Sequence, residues 1–116
     1  MKLIFLTALL AATSLFAGDV SGKWDFAIEL DAGSGNPAFE FQQKGEALSG
    51  TYTGMLGTAK LTGTVKGQNI SFSFDAEFNG EKMRVVYEGT VDGDAKMKGT
   101  VKLGTLGSGT FTAKKN

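Results

Sequence analysis

The chain of 116 residues contains no cysteine, no histidine and a single proline, Pro37. Without cysteine, the fold cannot depend on disulfides. The absence of both residue types also removes the commonest nucleophiles, general bases and transition-metal ligands. Twelve basic residues balance twelve acidic ones, and no basic cluster is present, so nucleic acid is not an expected partner. The sequence therefore predicts a protein that is not an enzyme and that needs no metal or other cofactor.

One long apolar run, Leu3–Phe16, follows Lys2 at the N-terminus and ends at the small residue Ala17. This arrangement is typical of a secretory signal peptide. The alternative is an uncleaved membrane anchor, which is less favoured because the run is shorter than the ~20 residues that a membrane span needs. We expect a signal peptide over residues 1–17, and a secreted or periplasmic domain over residues 18–116 with no transmembrane segment.

Glycine is abundant, with 17 copies, and five of them belong to a repeated phrase, apolar-x-Gly-Thr-apolar. In each copy the glycine and the two outer residues share one parity, so all three point to the same side of a strand. Glycine inside a strand usually marks a bend or a close approach of two backbones. The repeat therefore indicates a tightly coiled sheet, as a small closed barrel requires. The five glycines are Gly50, Gly63, Gly89, Gly99 and Gly109.

Apolar and polar residues alternate along most of the remaining sequence, a pattern typical of half-buried antiparallel strands. Trp24, Phe26 and Ile28, for example, alternate with Lys23 and Asp25. The pattern predicts eight strands, at 22–31, 37–43, 46–53, 58–66, 69–78, 81–91, 95–103 and 107–115. The expected core consists of Trp24, Tyr52, Tyr87 and the phenylalanines Phe26, Phe39, Phe41, Phe72, Phe74, Phe78 and Phe111.

Short turn signals separate these strands. Lys44-Gly45, Gly67-Gln68, Asn79-Gly80 and Asp92-Gly93 each offer the positive φ of a tight hairpin. The Asp-Gly pair is followed by Asp94, but the further ligands of a calcium loop are missing, so we interpret it as a turn. Hairpins in series predict an all-β fold, an eight-stranded antiparallel up-and-down meander barrel. The polar outer faces do not fit a transmembrane barrel.

Alternate connections of a meander lie at the same end of the barrel. One end receives the segments Asp31–Asn36, Gly54–Gly57, Asn79-Gly80 and Leu103–Leu106, of which three are predicted to be longer loops. We call it the Met55 end. Binding sites favour longer loops on a rigid scaffold, so we expect any ligand site here. The candidate ligand-binding residues are Asn36, Phe39, Tyr52, Met55, Leu56, Tyr87 and Leu106.

The sequence resembles the avidin and lipocalin barrels in a Gly-x-Trp phrase, Gly22-Lys23-Trp24, on the first strand. The segments 48–53 and 109–112 resemble avidins most closely. The resemblance implies that Lys114 or Lys115 covers the Trp24 ring. It also implies that Tyr52 corresponds to the avidin tyrosine that hydrogen-bonds the ligand's ring carbonyl. Phe26 replaces an avidin asparagine, and the further tryptophans of the biotin site are missing, so biotin is not the expected ligand.

Two functions fit these observations. The barrel either binds a small apolar or aromatic ligand through its Met55 end, or has a packed interior and binds a macromolecule there, as an inhibitor or accessory protein would. A cavity large enough for a ligand favours the first function. A packed interior with exposed Met55 and Leu106 favours the second.

Overall fold

The computed structural model describes residues 19–93 and 95–116; the predicted signal peptide lies outside them, and so does Asp94. Each of the eight predicted strands is present, and each end differs from the prediction by no more than one residue. A ninth, short strand is added. The described residues form no helix that could cross a membrane. The strands are β1 Gly22–Leu30, β2 Gly33–Gly35, β3 Ala38–Lys44, β4 Ala47–Gly54, β5 Gly57–Lys66, β6 Asn69–Phe78, β7 Glu81–Asp92, β8 Lys96–Leu103 and β9 Ser108–Lys115.

The sheet closes on itself as an antiparallel barrel. From β3 to β9 each strand pairs with the next, β3 pairs with β1, and β1 also pairs with β9. The closing ladder runs from Trp24 opposite Lys115 to Leu30 opposite Gly109. This up-and-down order confirms the fold predicted from the sequence.

Strands β2 and β3 are two parts of one strand interrupted near Pro37. Ile28 lies opposite Gly35 in β2, and Trp24 lies opposite Phe39 in β3, so the register is the same on both sides of the break. Proline has no N–H to donate to a ladder, but its carbonyl accepts a hydrogen bond from Phe26 N at 3.0 Å. When β2 and β3 are counted as one interrupted strand, the barrel has eight strands. The prediction of a loop over Asp31–Asn36 was wrong, because Gly33–Gly35 within it form β2.

The turns are tighter than expected at the Met55 end. Asp31-Ala32, Met55-Leu56 and Asn79-Gly80 are two-residue turns, and only Gly104–Gly107 is longer. Asn79 and Gly80 have φ of 54° and 81°, as a type I′ turn requires. The turn glycines Gly45, Gly67 and Gly93 also have positive φ, as predicted. Loop length was therefore a wrong reason for placing a site at this end.

Aromatic rings fill the middle of the barrel. Phe26 lies 4.4 Å from Phe39 and 5.1 Å from Phe111 between ring centroids, and the Phe72 and Tyr87 rings stack at 4.9 Å and 7°. All five side chains are buried. This aromatic cluster leaves the interior packed, as protein cores usually are.

The repeat glycines lie where neighbouring strands approach each other closely. All five share the parity of the inward-facing residues of their strands. Gly89 lies directly opposite Gly99. A Cβ atom at Gly99 would overlap the Glu88 carbonyl oxygen, and each of the other four meets a backbone oxygen in the same way. The prediction that the repeat marks inward-facing close approaches is confirmed.

Trp24 closes the opposite end of the barrel. Its ring is fully buried, and Nε1 donates a hydrogen bond to the Val20 carbonyl at 2.8 Å. Lys115, which lies opposite Trp24, donates from Nζ to the Asp19 carbonyl at 3.1 Å. Lys115 shares the face of Trp24, whereas Lys114 lies opposite Asp25 on the outer face. The expected burial of Trp24 at this end is confirmed.

Candidate functional site at the Met55 end

The barrel wall separates into individual hairpins at the Met55 end. Strands β5 and β6 pair only from Lys66 opposite Asn69 to Thr62 opposite Ser73. Beyond that point residues 57–61 pair with β4 alone, and residues 74–78 pair with β7 alone. The β4–β5 and β6–β7 hairpins therefore extend beyond the closed sheet. Together with the β1–β2 hairpin they surround an opening.

A cavity of about 290 Å³ lies between these hairpins. We call it the Met55-end cavity. The buried residues Ile28, Tyr52 and Leu103 contribute to its wall, and Tyr52 is its one ionisable residue. Such a site can bind an apolar body, but it offers no acid–base pair for catalysis. The remaining lining residues are Leu30, Ala32, Gly33, Ser34, Gly35, Asn36, Pro37, Met55, Leu56, Phe78 and Leu106.

Three side chains on the rim of this cavity are unusually exposed. Met55 is 84% exposed, Leu106 48% and Phe78 44%, and these are the exposed large hydrophobic residues of segments 19–93 and 95–116. An apolar cluster of this kind usually marks a binding site. Phe78 was expected in the core, and that expectation was wrong. It has the inward parity of β6, but it pairs with Glu81 at the hairpin turn, beyond the last pairing between β5 and β6.

Tyr52 connects the cavity wall to the Met55-Leu56 turn. Its hydroxyl accepts a hydrogen bond from Leu56 N at 3.3 Å, and its ring stacks on Phe74 with centroids 4.5 Å apart. Gly54 makes this possible, because a Cβ atom there would overlap the Tyr52 hydroxyl oxygen. Since the hydroxyl accepts here, its own proton remains available for a ligand acceptor.

The structure brings five of the seven predicted site residues to the cavity and leaves two below it. Asn36, Tyr52, Met55, Leu56 and Leu106 border the cavity. Asn36 is exposed, and its position in the register matches the outward-facing residues of β2. The other two residues are Phe39 and Tyr87.

Phe39 and Tyr87 belong to the aromatic cluster and are both buried, with ring centroids 5.3 Å apart. Burial raises the pKa of the Tyr87 hydroxyl above its ordinary range, and the nearby Tyr52 adds to the rise. The sequence could not show that these two residues lie in the aromatic cluster and not in the cavity wall, because residues in both places have the same inward parity. Sequence reasoning also missed Ile28, Leu30 and Pro37, which carry the same parity signal.

Other concavities have charged residues in their lining and therefore differ in chemistry. One of about 580 Å³ is bordered by Asp75, Lys82 and Arg84. Another, of about 420 Å³, is bordered by Asp92 and Lys96 among other charged residues. In the part of the chain that the structure describes, no group of three or more His, Cys, Asp or Glu residues could hold a metal ion. The Met55-end cavity is therefore the best candidate for a site with apolar walls.

The fold resembles two solved structures of redesigned proteins. One is a redesigned beta barrel with a TM-score of 0.67 and 18% identity, which covers 84% of this chain and 91% of that chain. The other is a redesigned beta barrel, mFAP1, bound to DFHBI, with a TM-score of 0.63 and 15% identity, which covers 84% of this chain and 94% of that chain. At these identities the likeness establishes a small eight-stranded barrel fold and nothing further. No protein-family model and no curated protein matches the chain.

Proposed function

We propose that this chain is an exported binding module that takes a small apolar or aromatic ligand into the Met55-end cavity. The observation that carries the proposal is the coincidence of the cavity with the exposed rim residues Met55, Phe78 and Leu106. Export follows from the N-terminal signal pattern, with a secreted or periplasmic location. The module binds and does not catalyse.

The size and chemistry of the cavity limit the ligand. A protein cavity of about 150 Å³ accommodates benzene, and ligand pockets generally start at about 300 Å³. At about 290 Å³, the Met55-end cavity fits a ligand of one or two rings. The Tyr52 hydroxyl supplies a polar contact that can orient a ligand in an apolar site.

Two likenesses support this proposal. The Gly22-Lys23-Trp24 start and the Trp24–Lys115 pairing fit an avidin- or lipocalin-like barrel, a class that holds ligands inside or at one end. The redesigned barrel mFAP1 has the same fold and holds the small aromatic dye DFHBI. In the present chain the aromatic cluster fills the middle, which leaves the Met55 end as the place for a ligand.

A titration with DFHBI as the aromatic probe tests the proposal. We expect the wild type to increase the dye's fluorescence and the double variant Tyr52→Phe/Met55→Ser to lose this binding. The matched control is Tyr87→Phe/Gln68→Ser, which changes the other tyrosine, in the aromatic cluster, and an exposed residue at the Trp24 end. The control should bind the dye as the wild type does, and both variants should keep the circular dichroism of the barrel. A control that loses binding as fully as the test variant would contradict the assigned site.

A second candidate function is recognition of a macromolecule, for example as an inhibitor or accessory protein. The 84% exposure of Met55, with that of Phe78 and Leu106, favours it, because free apolar side chains at turns also suit protein contacts. If the wild type binds no small aromatic probe at all, this function replaces the first. The same three residues would then be the contact residues.

A further inference from the structure

Strand β2 has a free edge next to the Met55-end cavity. In the described part of the chain every other strand has at least two neighbours in the sheet, whereas β2 pairs with β1 alone. Its partner on the other side would be a continuation of β4, but β4 ends at Gly54, where the chain turns away. The first pairing between β3 and β4 is Ala38 opposite Thr53. The strand position beside residues 33–36 is therefore unoccupied.

The register shows which backbone groups of β2 point toward this unoccupied strand position. Leu30 and Gly33 close a two-residue hairpin, so they form a hydrogen-bonded pair. In an antiparallel ladder hydrogen-bonded and non-hydrogen-bonded pairs alternate. Two residues further along each strand, and then two again, this alternation reaches the observed bond from Phe26 N to the Pro37 carbonyl. Ser34 and Asn36 fall between these bonded positions. Their N–H and C=O groups therefore point away from β1, and no backbone partner for them is present in residues 19–93 and 95–116.

The β2 edge also lacks the protection that other unpaired edges of this barrel have. Where β5 and β6 separate, both edges carry outward-facing charged residues: Lys60 on one edge, and Asp75 and Glu77 on the other. Charged residues on an edge discourage the addition of another strand. Residues 33–36 read Gly-Ser-Gly-Asn and carry no charge. A Cβ atom at Gly33 would meet nothing within 4 Å, so the inward face of β2 has open space at this position.

We propose that the free edge of β2 receives an extended polypeptide segment by strand addition, with the apolar side chains of that segment in the Met55-end cavity. The proposal goes beyond the small-ligand function and does not require it. Free N–H and C=O groups two residues apart match the repeat of another β-strand, and main-chain hydrogen bonds give such complexes their affinity. A small aromatic molecule has no comparable series of groups.

The side-chain pattern of the partner follows from the geometry of the edge. A residue opposite Ser34 or Asn36 lies on the outer face, and its neighbours in the added segment point inward, as Gly35 and Ile28 do. Because β2 carries glycine at both inward positions, these neighbours have room beside Met55, Leu56 and Leu106. The partner is therefore an extended segment with apolar residues at alternate positions and polar residues between them.

The probe for this test is the peptide Val-Thr-Val-Thr-Val-amide with fluorescein attached to its N-terminus, and its binding is followed by fluorescence anisotropy. Two isomers serve as matched controls, one N-methylated at both threonines and the other at the second and third valines. In an antiparallel complex the threonine N–H groups face β2; in a parallel complex the valine N–H groups do. We expect one isomer to bind at least tenfold more weakly than the parent peptide and the other to bind equally well. Equal binding by both isomers, or equal loss in both, would overturn the proposal.

A variant of the protein tests the same edge from the other side. Ser34→Pro removes the outward N–H without breaking a bond to β1, while Ser34→Thr keeps it. The first should weaken peptide binding at least tenfold and the second should not, with an unchanged thermal midpoint in both. Absence of peptide binding by the wild type would overturn the proposal, whether or not DFHBI binds. The proposal would also be overturned if the wild type bound no peptide but self-associated, and if Ser34→Pro abolished this self-association. A second copy of the chain would then occupy the edge.

Discussion

Trp24 lies directly opposite Lys115 on the ladder that closes the barrel. Trp24 Nε1 donates to Val20 O, and Lys115 Nζ donates to Asp19 O, so both side chains hold the segment that covers this end. A large ring that is fully buried under such a cover contributes strongly to stability. Among residues 19–93 and 95–116 no large ring covers the opposite end in this way, and this asymmetry places the opening at the Met55 end.

Trp24→Ala should lower the free energy of unfolding by ~3–5 kcal/mol, the range for a buried large aromatic residue. Trp24→Phe keeps most of the ring but leaves the Val20 carbonyl unpaired, which should cost ~1–3 kcal/mol. Urea unfolding followed by circular dichroism measures both, since the only tryptophan is lost in each variant. An unchanged midpoint for Trp24→Ala would show that the ring is not part of the core.

Gly99→Ala should destabilise the barrel by at least ~1–3 kcal/mol, the usual cost of forcing an atom into a packed site. The added Cβ would overlap the Glu88 carbonyl oxygen of the neighbouring strand. Gly35→Ala is the matched control, because a Cβ there meets Ile28 Cγ1 at 3.5 Å, an ordinary contact. Thermal unfolding of both variants provides the comparison. If the two alanines proved equally harmless, the close approach would not be a requirement of the fold.

Tyr87 should make the barrel lose stability in strong alkali. Burial raises its pKa in the folded state, so only the unfolded state releases this proton as the pH passes about 10. The contribution is fully present below pH ~10, and above it the free energy of unfolding falls by up to ~1.4 kcal/mol per pH unit. Tyr87→Phe should reduce this slope between pH 10 and 12 in urea unfolding. A slope equal to that of the wild type would mean that the hydroxyl ionises as readily in the folded protein.

Period-two alternation made the strands predictable, because each strand has one face in the core and one in solvent. The positions of Trp24 and the turn glycines followed from the same parity and from the positive φ that Asn-Gly and Asp-Gly turns need. Strand β2 could not be found in this way. Gly33, Ser34 and Gly35 carry almost no side chain, so no alternation was visible, and its pairing depends on the register of β1.

The candidate site was less predictable, since it depends on where the strands separate. The sequence placed Phe78 in the core with the same inward parity as Phe74, but a hairpin that extends beyond its neighbours exposes its last inward residue. Loop length, the stated reason for choosing the Met55 end, was wrong for two of the three loops. The apolar character of Met55, Leu56 and Leu106 was the more useful signal.

An apolar ligand in the Met55-end cavity would lie close to the Met55 side chain, and methyl NMR of the protein labelled at its methionine methyl groups can detect it there. Met55 lies on the rim of the cavity, whereas Met97 is buried in β8 outside its lining and serves as the internal control. On addition of DFHBI, we predict a saturable chemical-shift change of the Met55 methyl signal and an unchanged Met97 signal. Saturable binding that shifts the Met97 signal and leaves the Met55 signal unchanged, or no shift of either signal at millimolar dye, would contradict ligand binding in this cavity.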